Sequence, residues 1–191
     1  MYSHMIFDLA DRSYLRSVKS VSGATKYLDR ITPKAIIVTD EGLTESKHEA
    51  VLDRIREYVK NGGMVIMGIF FPSFTPVDSF NKFFNQSFGL IWRAGDNFVS
   101  TDELNPICSL PGDATKHSFP ASYTSKAVHI RDAQPHEIIM GPLSGAQTQS
   151  LVSSAGPGGE SQAVVVGAKI GDGYLATSAM SVQKRKLCKL L

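Results

Sequence analysis

Two short apolar runs, "AIIV" in "KAIIVTD" and "MVIM" in "NGGMVIMG", flank one strongly amphipathic segment, and this arrangement narrows the folds open to the chain. Both runs are continuously apolar rather than alternating, so each predicts a strand buried on both faces, as in a parallel sheet covered by helices. Between them, "TESKHEAVLDRIREYVKNGG" sets Val51, Leu52, Ile55, Tyr58 and Val59 on one stripe at helical spacing. Thr44 is the expected N-cap, Glu45 and Glu49 suit the positive end of the helix dipole, and Asn61-Gly62-Gly63 suits a left-handed exit. Strand, helix and strand with short joins predict a parallel pair. Upstream, "SVSGATKYLDRI" predicts another helix that ends before Pro33, and "MIFDL" at 5–9 reads as a first strand with Asp8 near its end.

Beyond Pro72 the character changes. "PVDSFNKFFNQSFG" predicts a short helix with Phe80, Phe83 and Phe84 facing inward. One strand is expected in "LIWRAGDNFVSTDELNP", and "KAVHIRD" and "HEIIMGP" give two more. Residues 144–161 are rich in Ser, Gly and Gln and read as a mobile loop. "QAVVVGAKIGDGYLATSAM" closes the pattern with two strands, and Asp172-Gly173 is the turn signal of a late hairpin. The reading is one α/β domain over 1–191, with a mainly parallel central sheet covered by helices on both faces.

The turn after the second run decides the chemistry. Many α/β enzymes hold a nucleophile on the sharp turn between such a strand and the next helix. Here "GIFFP" occupies it, and Phe70 stands where cysteine or serine would be needed. A phenyl ring has no lone pair and no ionisable proton, so it cannot attack a carbonyl.

The order "YVKNGGMVIMG", "FNKFFNQSFGLIWRAGD" and "VVVGAKIGDGYLA" resembles the class I glutamine amidotransferase-like superfamily. Within it the chain is most similar to the ThuA-like proteins and to the domain at the N-terminus of some biotin-protein ligases, in an uncharacterised fungal branch. The resemblance runs from about Lys34 to Leu175 and implies a three-layer flavodoxin-like sandwich, with ligands at the carboxyl ends of the strands. Active members carry a "GxCxG" elbow and a late His-x-Glu. Across the elbow this chain has Gly68, Ile69, Phe70, Phe71 and Pro72, and its His136-Glu137 are adjacent, which in a strand sends them to opposite faces. Glutaminase activity is not expected. The resemblance therefore implies a non-catalytic binding or protein-interaction module. The alternative is a small-molecule hydrolase or isomerase using Asp40, Glu41, Ser73 and His129.

The remaining candidates each have a plain structural reading beside the functional one. Asp40-Glu41 follows a strand end, where two carboxylates suit a cation or acid–base work, or simply cap the next turn. Ser73 lacks a visible histidine partner and reads as a turn residue. His129 reads as a satisfied structural histidine. No histidines stand in HxH or HxxxH spacing, so neither a metal nor another cofactor is expected. The crowded aromatics include Phe71, Phe74 and Trp92, which suit an interface with a second copy or another protein. A small-molecule ligand remains open.

The net charge of +2 lies close to neutral, and the basic run "KRKLCKLL" in the 180–191 tail reads as a solvated terminus rather than a nucleic-acid or membrane contact. Cys108 and Cys188 make no CxxC spacing and read as free thiols. With no apolar run near the roughly 20 residues of a membrane span, the sequence predicts a cytoplasmic protein.

Overall fold

The strongest local pattern folds as its spacing requires. Helix α3 (Glu49–Lys60) buries Val51, Leu52, Ile55 and Val59 on one stripe. It ends at Gly62, whose φ of +100° is open to glycine, and the Gly63 N–H closes the turn on the Tyr58 carbonyl at 2.9 Å. Its start differs from expectation. Thr44 lies at the end of a 3-10 turn, Glu41–Thr44, and a second 3-10 turn, Ser46–His48, precedes the helix proper.

This computed structural model describes residues 3–112, 114–142 and 162–178. Around α3 the chain runs as α1 (Ser3–Arg12), α2 (Val21–Leu28) and β1 (Ala35–Val38), then, after α3, β2 (Met64–Met67), α4 (Phe71–Phe74) and α5 (Val77–Phe88). Five further strands follow: β3 (Arg93–Leu104), β4 (Ser122–Arg131), β5 (Ile138–Pro142), β6 (Val165–Ile170) and β7 (Gly173–Ser178). The segment expected as a first strand, 5–9, lies inside α1. The loop expected over 144–161, the tail over 180–191 and Cys188 lie outside the described residues.

The seven strands of the described residues form one sheet in the order β1-β2-β7-β6-β5-β3-β4. Only β1–β2 and β2–β7 pair in parallel, while β7–β6, β6–β5, β5–β3 and β3–β4 are antiparallel. This overturns the mainly parallel, flavodoxin-like sheet. The physical reason is the connections. A parallel neighbour needs a crossover of a dozen or more residues, usually helical. α3 supplies one between β1 and β2, but after α5 the described chain holds no α-helix, and its only helical turn is the three-residue 3-10 segment Lys116–Ser118. β1 also differs from a doubly buried strand. It is the sheet edge, and Ala35, Ile36 and Ile37 are only half-buried.

The late hairpin forms as expected, with the turn one residue earlier. Ile170 pairs with Gly173, so Gly171 and Asp172 are its central residues, and Gly171 has φ +61°. That is the glycine-first pattern of a type II′ turn. The turn docks on the end of α3: the Asp172 N–H donates to the Lys60 carbonyl and the Tyr174 N–H to the Gly63 carbonyl, both at 3.0 Å. A side chain at Gly173 would sit 2.1 Å from the Val59 carbonyl oxygen, so this contact demands glycine.

The sheet's two faces are covered differently. On one, α2, α3 and α5 pack Leu28, Ile55, Val59, Phe80 and Phe84 against Val65, Met67, Val166 and Leu175. On the other, Cys108, Leu110 and Phe119 from the β3–β4 connection lie against Ala127, Met140, Val165 and Ala176.

Candidate functional site

At the carboxyl end of β2 the chain turns within three residues. The Gly68 N–H donates to the Val38 carbonyl at 2.9 Å, and the Phe70 N–H to the Thr39 carbonyl at 3.0 Å. Between them Ile69 has φ +61°, a left-handed conformation that costs a β-branched residue about 1–3 kcal/mol. This is the backbone of a strand-to-helix elbow, with its strained residue one place before Phe70. Neither isoleucine nor phenylalanine can act as a nucleophile there.

The turn divides the aromatics. Phe71 is fully buried against Phe80, Phe83 and Phe84, with Pro72 beside it in the core. Trp92 is also fully buried, and its Nε1–H donates to Glu137 Oε2 at 2.8 Å. Phe71 and Trp92 therefore belong to the core and offer no surface to a partner. Phe70 and Phe74 point outward, 42% and 63% exposed, with ring centroids 5.5 Å apart in an edge-to-face pair. Val77, one turn further, is exposed as well. Ser73 lies exposed within α4.

The acids at the tip of β1 are engaged locally. Asp40 caps the 3-10 turn, accepting from the Gly42 N–H at 3.0 Å and from the Thr39 hydroxyl at 3.3 Å. Glu41 is the first residue of that turn. Across it, His48 Nδ1 lies 2.5 Å from the Gly42 carbonyl. Among the described residues, no three His, Cys, Asp or Glu side chains gather as metal ligands would.

His129 lies elsewhere, inside the antiparallel half. Ser100 and Asp102 of β3 and Ser125 and His129 of β4 are all buried, and the register pairing Ser100 with Ser125 sets them on one face of the ribbon. The Ser100 Oγ stands between the other two groups, 2.6 Å from Asp102 Oδ2 and 2.9 Å from His129 Nε2. His129 Nδ1 is 3.1 Å from the Ala127 carbonyl, and the Phe98 ring stacks on the imidazole at 3.7 Å and 4°. Burial raises the Asp102 carboxyl above its ordinary range, against the opposing pull of Ser100 and His129. Burial likewise lowers the His129 imidazole, against Asp102 and the backbone carbonyls of Ala127 and Asp96. Both groups are thus held toward their uncharged forms.

This cluster has the residue types of a hydrolase relay in the wrong order. A relay places histidine between serine and carboxylate, so that the imidazole takes the serine proton. Here serine is in the middle, fixed at both sides and buried. Of its members only His129 was a sequence candidate. The signal for the rest was the alternation Phe98, Ser100, Asp102, Leu104 against Ser125, Ala127, His129, which gains meaning only once the two strands are in register.

The chain matches no family model and no curated protein. Among the described residues, no helix is long and apolar enough to cross a membrane.

Proposed function

We propose that the protein is a non-catalytic, amidotransferase-like interaction module whose working surface is the aromatic rim of the β2–α4 turn. The observation that carries this reading is the exposed Phe70–Phe74 ring pair, set just past the strained elbow residue Ile69. Two rings and Val77 exposed together form an apolar patch that water solvates poorly. The acid–base alternative gains no support. It needs Asp40, Glu41, Ser73 and His129 to converge, whereas Asp40 is occupied in its own turn and His129 with Ser100.

The partner we assign is a second copy of the chain. A patch on a short helix can meet its own image across a two-fold axis, the commonest closed arrangement. Sedimentation at micromolar concentration tests this: the unmodified protein should run as a dimer, and Phe74→Asp should run as a cooperatively folded monomer whose melting temperature no longer depends on protein concentration. A single species near 20.8 kDa for the unmodified protein would remove the dimer.

A further inference from the structure

We infer that the Asp102–Ser100–His129 chain binds one proton as a unit, with both end groups uncharged, and that this makes the antiparallel half of the sheet a pH-sensitive element. The hydrogens available to the three side chains fix this state. A carbonyl only accepts, so His129 Nδ1, 3.1 Å from the Ala127 oxygen, carries a hydrogen. Two short gaps remain, 2.6 Å from Asp102 to Ser100 and 2.9 Å from Ser100 to His129, and each needs one hydrogen. The serine hydroxyl supplies one. The second must sit on the carboxyl or on Nε2, because otherwise two lone pairs face each other across a buried gap. With the proton on the carboxyl, Asp102 donates to Ser100 and Ser100 donates to His129, and no charge is left in the interior. The imidazolium–carboxylate form would instead place two charges in a site where both residues are fully buried.

The charged and titratable neighbours do not change the count. The Asp96 carboxylate of β3, held by Gln162 Nε2 at 3.0 Å, draws His129 toward its protonated form, and Arg131 follows His129 by two residues on the same face of β4, but neither supplies a hydrogen to the two gaps. Tyr123 of β4 and Cys108 of the β3–β4 connection are both pushed upward by burial and stay uncharged near neutrality. Lys126 falls between Ser125 and Ala127 and so lies on the opposite face of β4.

The sign of the pH dependence follows from counting protons in both states. In the unfolded chain the pair titrates near ordinary values of 3.8 for aspartate and 6.5 for histidine. Between those values the unfolded pair holds one proton, on the histidine, and the folded chain also holds one, so stability has no slope from this source. Above 6.5 the unfolded pair is empty while the folded chain keeps its proton, so stability falls as pH rises, until the cluster releases it. Asp102→Asn inverts this pattern. The amide fills the first gap with its own hydrogen and cannot titrate, leaving neutral His129 as the only titrating member. The variant then gains stability with rising pH up to the histidine value and is flat above it.

The test is chemical denaturation of both proteins from pH 5 to 8. The folding constant of Asp102→Asn, relative to the unmodified protein, should rise about tenfold per pH unit across the range. A ratio that does not change with pH would mean that Asp102 is ionised in the fold, and would overturn the inference. Nitrogen NMR of the imidazole in the unmodified protein gives a second reading that needs no variant. His129 should stay a neutral, Nδ1-protonated ring from pH 5 to 8. A doubly protonated ring, or titration near its ordinary value, would overturn the uncharged assignment even if Asp102→Asn fails to fold.

Discussion

The two halves of the sheet bury themselves by different means. In the parallel half, β1, β2 and β7 lie against α3, and the stripe Leu52, Ile55, Val59 meets Val65, Met67 and Leu175. Each contact there removes apolar surface from water, and nothing in it depends on protonation. In the antiparallel ribbon of β3 and β4 the inward positions include Ser100, Asp102, Ser125 and His129. Burying such groups is unfavourable unless each finds a partner, so this half depends on a hydrogen-bond chain and is sensitive to its members. The comparison teaches that a single sheet can be tolerant on one side and exacting on the other.

The largest expected effect lies in the helical face. Phe84 is fully buried and touches the rings of Phe71, Phe80, Phe83 and Trp92. Phe84→Ala should cost about 3–5 kcal/mol in urea denaturation, with no dependence on pH. A pH-dependent loss would break the distinction drawn between the halves.

Ser100→Ala comes next. It leaves Asp102 and His129 facing each other at 4.0 Å across the missing hydroxyl, and should cost about 2–3 kcal/mol. Unlike Phe84→Ala, its cost should vary between pH 5 and 8, because the proton site is broken. A loss below about 0.5 kcal/mol would show that the polar chain is incidental to folding.

The smallest effect sharpens the comparison within the ribbon itself. Ser125 is buried beside Ser100, yet its hydroxyl has no hydrogen-bond partner among the described residues. Ser125→Ala should therefore be neutral or stabilising by up to about 1 kcal/mol. Destabilisation would mean that a bound water satisfies this hydroxyl.

Legibility from sequence divides along the same line. The α3 stripe, its glycine exit, the inward Phe80, Phe83 and Phe84, and the late hairpin were all readable, because helical spacing and turn chemistry are local properties. The strand misread at 5–9 became α1, since a short apolar run does not by itself distinguish strand from helix. The elbow was readable as lacking a nucleophile, but the left-handed backbone of Ile69 is a matter of backbone angles that residue names do not carry.

What the sequence determined on its own was local order. Spacing of apolar residues chose helices and strands, glycines chose the exits of α3 and of the late hairpin, and the absence of any reactive side chain in "GIFFP" removed nucleophilic chemistry from the turn. Tertiary structure alone decided three things. Strand direction in the second half followed from connections that hold no α-helix among the described residues, which leaves antiparallel pairing as the short route. Phe71 went to the core while Phe70 and Phe74 stayed outside, because one turn of α4 points neighbouring rings to opposite sides, and Trp92, just ahead of β3, went to the core with its Nε1–H on Glu137. The meeting of Asp102, Ser100 and His129 required residues up to 29 positions apart to share one face, and that depends on cross-strand register, a relation that no single segment of the chain contains.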